Sequence, residues 1–385
     1  MIPYGRQDIS EADIQAVVEV LRSDWLTQGP AIERFESALA QRAGAAHAVA
    51  MCNATAALHV ACLALGLGPG DLLWTVPNTF VASANCGRYC GADVDFVDVD
   101  PRSYNMSAAA LAEKLEQAER AGRLPKVVIP VAFAGQSADM AAIAKLRERY
   151  GFRIIEDASH AIGASYDGAP VGNGRHADIT IFSFHPVKII TTGEGGAAVT
   201  SDPVLAEKLR LLRSHGITRD TARMEGDSEG GWYYQQVELG FNYRITDIQA
   251  ALGASQLTRL DAFLEARHAA AGRYQQLLAD LPLLLPWQDP QGRSALHLYP
   301  VQVLEGEGVP GRKTVFERLR AAGIGVNVHY IPVHLQPYYR RLGFQPGQFP
   351  EAERYYSRAI SLPMYSSLTA GQQQEVAGAL RAALR

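Results

Sequence analysis

Apolar positions change their period along this chain, and the changes mark out its elements. Residues Ser10 to Arg22 place Ile14, Val17, Val18 and Leu21 at helical spacing behind a serine suited to an N-cap. Gly29-Pro30 breaks that helix, and a second follows through Phe35 and Leu39. The middle of the chain alternates short Val- and Ile-rich runs with periodic helices such as Asp139–Tyr150. The runs Leu72–Val76, Val94–Val97, Lys126–Phe133, Arg153–Glu156, Ile179–Phe184 and Ala197–Thr200 read as strands. Buried runs alternating with helices predict a mainly parallel sheet covered on both faces. Ligands of such sheets gather beyond the carboxyl ends of the strands. After about Gln256 the texture shifts to an Ala/Leu/Arg-rich helix through Leu257–Leu281. A Pro-rich turn, a strand in LHLYPVQV, a helix Thr314–Ala322 and a strand Gly325–His329 follow. The expected fold class is α/β, with a large domain over residues 1–255 and a smaller C-terminal α/β domain over 256–385.

Composition narrows the function. The chain has 385 residues, 48% hydrophobic and 20% charged, enough to bury a large core. With 36 basic and 40 acidic residues and no basic block, there is no electrostatic footprint for nucleic acid. No apolar stretch is long enough to span a bilayer, and the polar start lacks the apolar core of a signal peptide, so a cytoplasmic protein without a membrane partner is expected. Cys52, Cys62, Cys86 and Cys90 form no C-x-x-C pair. They read as reduced, buried thiols, and no metal is expected.

Five segments carry candidate chemistry. The run Ser183-Phe-His-Pro-Val-Lys188 leads from a β-rich segment into a glycine cluster and another strand. A lysine that attacks a carbonyl needs a partly desolvated site, so that its amine is often neutral, and glycines let backbone approach a flat ring. Taken alone, a lysine there is also an ordinary surface lysine. Asp157 closes a buried strand in Ile154-Ile-Glu-Asp157-Ala-Ser-His160, where a carboxylate faces a ligand crevice; capping or pairing with an arginine are its other uses. Asn53-Ala-Thr55 opens a helix and offers backbone N–H groups to an anion, or serves as a plain cap. Phe80 in Pro77-Asn-Thr-Phe80 suits stacking on a planar ligand, or packing in the core. The turn Gly240-Phe-Asn242-Tyr-Arg244-Ile-Thr-Asp247 is polar and aromatic, functional or merely capping.

The order of these motifs resembles that of the DegT/DnrJ-type sugar-nucleotide aminotransferases, fold-type I enzymes of pyridoxal 5′-phosphate. The resemblance runs from Ile2-Pro-Tyr-Gly to Leu362-Pro. It implies that Lys188 forms the imine with the cofactor, Asp157 pairs with the pyridinium nitrogen and Phe80 stacks on the ring. It implies that Ala54, Thr55 and Ser183 hold the phosphate, that His160 lies near the 3-hydroxyl, and that Asn242 reaches the phosphate of a partner subunit in a homodimer. Tyr4, Leu26, Thr27, Gln28, Gly29, Asn327, His329 and Tyr330 resemble substrate-binding positions. Within the family the segments PNTFVASANC, VDFVDVDPRSYNM and SFHPVKIITTGEGG are similar to the branch that aminates C4 of a UDP-4-keto-6-deoxy-N-acetylhexosamine with L-glutamate, on the pseudaminic acid route. GDP-perosamine or viosamine-type keto sugars are the alternative substrates. The phosphate turn departs from the usual Ser-Gly-Thr or Ser-Ala-Thr: Asn53 keeps the backbone donors but removes a hydroxyl. Family dehydratases carry His in place of the lysine, which Lys188 argues against. A noncatalytic cofactor-binding regulator would more readily have lost Lys188 or Asp157. Enzymes acting on amino acids show a carboxylate-binding arginine in the small domain, and none stands out among Arg312, Arg318 and Arg320.

Overall fold

The computed structural model describes residues 1–304 and 306–385. Its centre is a seven-stranded sheet in the order His47–Met51, Gly196–Thr200, Ile179–Ser183, Arg153–Asp157, Val127–Ile129, Leu72–Thr75, Asp93–Phe96. Only Gly196–Thr200 runs antiparallel to its neighbours; the other strands all point the same way. The strands read Val/Ile/Ala on both faces because helices cover both sides, burying nearly every central residue. A second sheet, Leu283–Leu284, Tyr299–Val303 and Ala359–Leu362, is antiparallel. It packs with Ile2, Tyr274, Val315, Val326 and Leu380 into a separate C-terminal core. Among the described residues no helix is long and apolar enough to cross a membrane.

Local chemistry explains the boundaries. Ser10 caps the helix Glu11–Leu21 in a reciprocal capping box with Asp13. Asp13 is itself buried and accepts from Ser255, Gln256 and Arg259, which ties the first helix to the helix Asp247–Thr258. The expected strand Lys126–Phe133 is only Val127–Ile129, because Pro130 has no N–H for the ladder and Ala134 and Gly135 turn the chain with positive φ. The expected strand Gly325–His329 reduces to isolated bridges at Ile324 and Asn327, its polar side chains being used for side-chain hydrogen bonds. The long helix expected through Leu257–Leu281 is divided at Arg259 into Asp247–Thr258 and Leu260–Leu277. Position 255 therefore lies inside a helix. The cysteines are free thiols, with Cys62, Cys86 and Cys90 buried and Cys52 half-buried.

Candidate active site

Five parallel strands and the reversed one bring their loops to one end of the sheet, around a cavity of about 610 Å³. Asp157, the last residue of its strand, is only 5% exposed there. Its Oδ2 accepts from the Ser83 hydroxyl at 2.7 Å, and its Oδ1 accepts from the hydroxyl and N–H of Ser159 at 2.6 and 3.1 Å. Ser83 has one proton and gives it to the carboxylate, so the Thr79 hydroxyl, 2.8 Å away, donates to Ser83. The carboxylate is thus fixed in orientation from behind.

Lys188 lies on the loop from Ser183 to Gly196 and lines the same cavity. It has no ion pair or side-chain hydrogen bond among the described residues. Burial lowers its pKa from 10.5 to about 8, against the opposing pull of the Asp157 charge. An amine so placed is neutral in a useful fraction of molecules near neutral pH.

The third wall is the start of the helix Ala54–Ala64. Asn53 caps it, its Oδ1 accepting from Ala56 N–H at 2.8 Å. The N–H groups of Ala54 and Thr55 have no acceptor among the described residues and face the cavity end of the helix, where the dipole favours an anion. Gly196 makes this approach close: a Cβ there would collide with the backbone N of Ala54. Ser183 stands beside them with a hydroxyl that has no partner among the described residues.

The far wall is aromatic and imidazole-rich. Phe80 is 59% exposed and borders the cavity 6.4 Å from the Tyr330 ring. Tyr4 packs 5.6 Å from the His329 ring, and burial raises its pKa. Val328 N–H donates to Asn327 Oδ1, so Asn327 Nδ2 is the group facing His329 Nε2 at 3.3 Å. His329 Nε2 is therefore the acceptor, and its Nδ1–H donates to Ser361 Oγ at 2.8 Å. Burial, with a smaller contribution from Lys188, lowers the His329 pKa to about 4, so this ring is neutral.

Eleven of the sequence-predicted positions line this one cavity: Tyr4, Ala54, Thr55, Phe80, Asp157, His160, Ser183, Lys188, Asn327, His329 and Tyr330. Five lie outside it. Asn242 is exposed and bridged to Ser214. Leu26, Thr27, Gln28 and Gly29 form a largely exposed segment, held by a Thr27–Thr246 bridge and by Asp247. The cavity lining also contains His297 and Glu194, which sequence reasoning did not single out. Glu194 sat in the glycine cluster; His297 was a lone polar residue in an apolar strand run.

A mainly parallel sheet with one reversed strand, a strand-end aspartate and a half-buried lysine in the same cavity are the marks of a fold-type I enzyme of pyridoxal 5′-phosphate. The comparisons with known proteins agree: the chain belongs to the DegT/DnrJ/EryC1/StrS aminotransferase family, which matches residues 7–381. It is 40% identical over 383 residues to the spore coat polysaccharide biosynthesis protein SpsC of Bacillus subtilis, covering 99% of this chain and 96% of that one. It is 37% identical to the UDP-4-amino-4,6-dideoxy-N-acetyl-beta-L-altrosamine transaminase of Campylobacter jejuni, covering 96% and 93%. Among solved structures, Helicobacter pylori PseC, an aminotransferase of pseudaminic acid biosynthesis, superposes with a TM-score of 0.90 at 31% identity, covering 100% and 99%. The PMP form of the sugar aminotransferase Spr1654 of Streptococcus pneumoniae does so equally, at 0.90 and 31% over 100% and 99%. The chain is a sugar aminotransferase with pyridoxal 5′-phosphate as cofactor. Its own residues fit that group: two free backbone N–H donors for a phosphate, an unpaired amine for an aldehyde, and a held carboxylate for a ring nitrogen.

Proposed function

We propose that this enzyme moves the amino group of L-glutamate to C4 of a UDP-4-keto-6-deoxy-N-acetylhexosamine, forming UDP-4-amino-4,6-dideoxy-N-acetyl-β-L-altrosamine for pseudaminic acid in the cytoplasm. The chemistry rests on Lys188, a half-buried amine without a partner among the described residues, in one cavity with Asp157. The choice of sugar is supported by the C. jejuni relative, at 37% identity over 370 residues.

When bound, the cofactor supplies an aldehyde to carry the amino group and a ring to take up the electron pair released at carbon. Lys188 would be the residue that holds it at rest. Once free of the cofactor, Lys188 Nζ would take the proton from the donor Cα and, in the second half, would deliver one to C4 of the sugar. A pKa of about 8 suits an amine asked to do both. Asp157 keeps the ring nitrogen protonated by opposite charge, and Phe80 covers the ring face. The N–H groups of Ala54 and Thr55, with the Ser183 hydroxyl, anchor the phosphate, and His160 stands near the 3-hydroxyl. Asn242 serves the phosphate of the partner subunit in a homodimer; its exposure outside its own cavity supports this. Tyr4, Asn327, His329 and Tyr330 contact the sugar nucleotide, and Leu26–Gly29 close over it.

The test is an assay with glutamate as donor and a panel of acceptors: UDP-4-keto sugars differing at C5, and GDP and dTDP 4-keto sugars. The reading expects a kcat/KM at least about tenfold higher for the UDP-4-keto-6-deoxy-N-acetylhexosamine of the altrosamine series, equivalent to about 1.4 kcal/mol of transition-state preference. Preference for a GDP or dTDP sugar would replace the substrate and leave the aminotransfer chemistry intact.

A further inference from the structure

Two ring nitrogens in the cavity wall have no partner. Nδ1 of His160 and Nδ1 of His297 are both sealed from solvent and unbonded among the described residues. Their rings are neighbours, with centroids 4.4 Å apart and planes at 48°. The contact is built by Gly135. Its φ is +103°, and a Cβ there would sit 2.7 Å from Leu296 N, 3.0 Å from His297 N and 3.1 Å from His160 O. Only a residue without a side chain lets the 296–297 backbone come this near to residue 160. Ala295 N–H donates to Gly135 O at 2.9 Å and fastens the approach.

Proton positions follow from counting donors. The Tyr330 hydroxyl lies 3.1 Å from His160 Nε2 and has no other partner among the described residues. Burial raises its pKa, so it keeps its proton. A buried O–H without an acceptor is costly, so the phenol donates to Nε2. Both imidazoles are neutral, because burial lowers their pKa values and Lys188 adds to the effect. The buried guanidinium of Arg267, which donates to the carbonyls of Leu296 and His297, further disfavours charge on His297. With Nε2 of His160 accepting, its single proton is on Nδ1. Of the other rings about it, Phe133 at 6.3 Å has no acceptor, and the Tyr330 hydroxyl is committed to Nε2. His297 Nδ1 is the complementary lone pair, which places the His297 proton on Nε2.

We propose that His297 is a positioning residue for this site: its partnerless Nδ1 supplies a lone pair to the partnerless Nδ1 of the adjoining His160 ring and holds His160 in one tautomer along the line Tyr330–His160–His297. The contact closes directly by a small shift or through one bound water. Its consequence is directional. His160 is fixed as an Nδ1–H donor, and His297 becomes an Nε2–H donor in the cavity wall, able to meet an acceptor oxygen of either substrate. This goes beyond the choice of sugar and does not depend on it.

The experiment is long-range ¹H–¹⁵N correlation of the histidine rings in holoenzyme labelled at ring nitrogen, with His160 and His297 assigned by comparison with single His160→Gln and His297→Asn samples. Wild-type protein is expected to show His160 protonated at Nδ1 and His297 at Nε2. His297→Phe removes the lone pair while keeping a ring, and His160 is expected to lose its single-tautomer signals. His297→Asn places a carbonyl near the Nδ1 position and is expected to retain them. Two rings in the same tautomer in wild-type protein overturn the proposal, as does an unchanged His160 in His297→Phe. Should His297→Phe fail to fold, the wild-type tautomers alone decide the matter. None of these readouts depends on turnover with any sugar.

Discussion

The carboxylate of Asp247 accepts from the N–H of Gly29 at 2.7 Å, reaching across 218 residues of sequence, and also takes the N–H of Ala31 at 2.9 Å. Gly29 is the N-cap of the helix Pro30–Ala43 and has no side chain to cap it. Asp247, at the start of its own helix, supplies the missing acceptor from outside. The segment Leu26–Gly29 is thereby clamped to the turn that carries Asn242. Asp247→Ala would leave the buried N–H of Ala31 unsatisfied and cost about 2 kcal/mol of stability. With the proposed role of Leu26–Gly29, KM for the nucleotide sugar should rise severalfold while the cofactor absorbance stays. An unchanged KM in steady-state kinetics would remove that segment from substrate binding.

Glu156 faces away from the cavity beside Asp157, accepting from Ser137 at 3.1 Å and Thr180 at 3.4 Å. Burial raises its pKa from 4.5 to about 7. Between those values the folded protein holds a proton that the unfolded chain has released. Its contribution is fully present below pH 4.5 and is lost as pH rises through about 7. At about 1.4 kcal/mol per unit, the loss approaches about 3 kcal/mol. Glu156→Gln should therefore be more stable than wild type in urea at pH 8, with the difference shrinking toward pH 5. A variant no more stable at pH 8 would count against a buried, protonatable Glu156.

Lys188→Ala should fold and bind cofactor without covalent capture, losing turnover by about 10³-fold or more. Borohydride should fix a pyridoxyl label on residue 188 of wild type and on nothing in the variant. With the amine pKa depressed to about 8, capture of added cofactor by the cofactor-free protein should speed up about tenfold per pH unit below 8 and level off above it. Stopped-flow absorbance checks the profile, and a rise continuing to pH 10 would show an unperturbed lysine.

Gly196→Ala should cripple the phosphate end of the site. The added methyl would strike the backbone at Ala54, which cannot rotate away, so the free N–H groups must move. Cofactor affinity should fall more than about tenfold, a loss above about 1.4 kcal/mol, with the far-ultraviolet circular dichroism retained. Unaltered affinity in an equilibrium titration would mean that the helix start does not anchor the phosphate.

The parts legible in the sequence were those set by neighbours along the chain. Asp157 ends an apolar run, Lys188 follows another, and Ser10 caps the helix that it precedes. What escaped depends on distant partners. His297 stands in an apolar run, where a single histidine reads as core. Its place beside His160 is decided by Gly135, far from both in sequence. Likewise nothing near Gly29 announces that Asp247 will cap it.

The reversed strand Gly196–Thr200 has a mechanical consequence. After an ordinary strand of a parallel sheet, the chain leaves toward a helix and returns at the opposite end. Here Ser183 and Gly196 are register partners, so the stretch carrying Lys188 departs and lands side by side, tethered at both ends like a handle. Lengthening such a handle would add slack where the proposed chemistry asks the amine to reach the same point twice in every cycle. Added length should therefore be tolerated far less there than in loops anchored to the sheet on one side only.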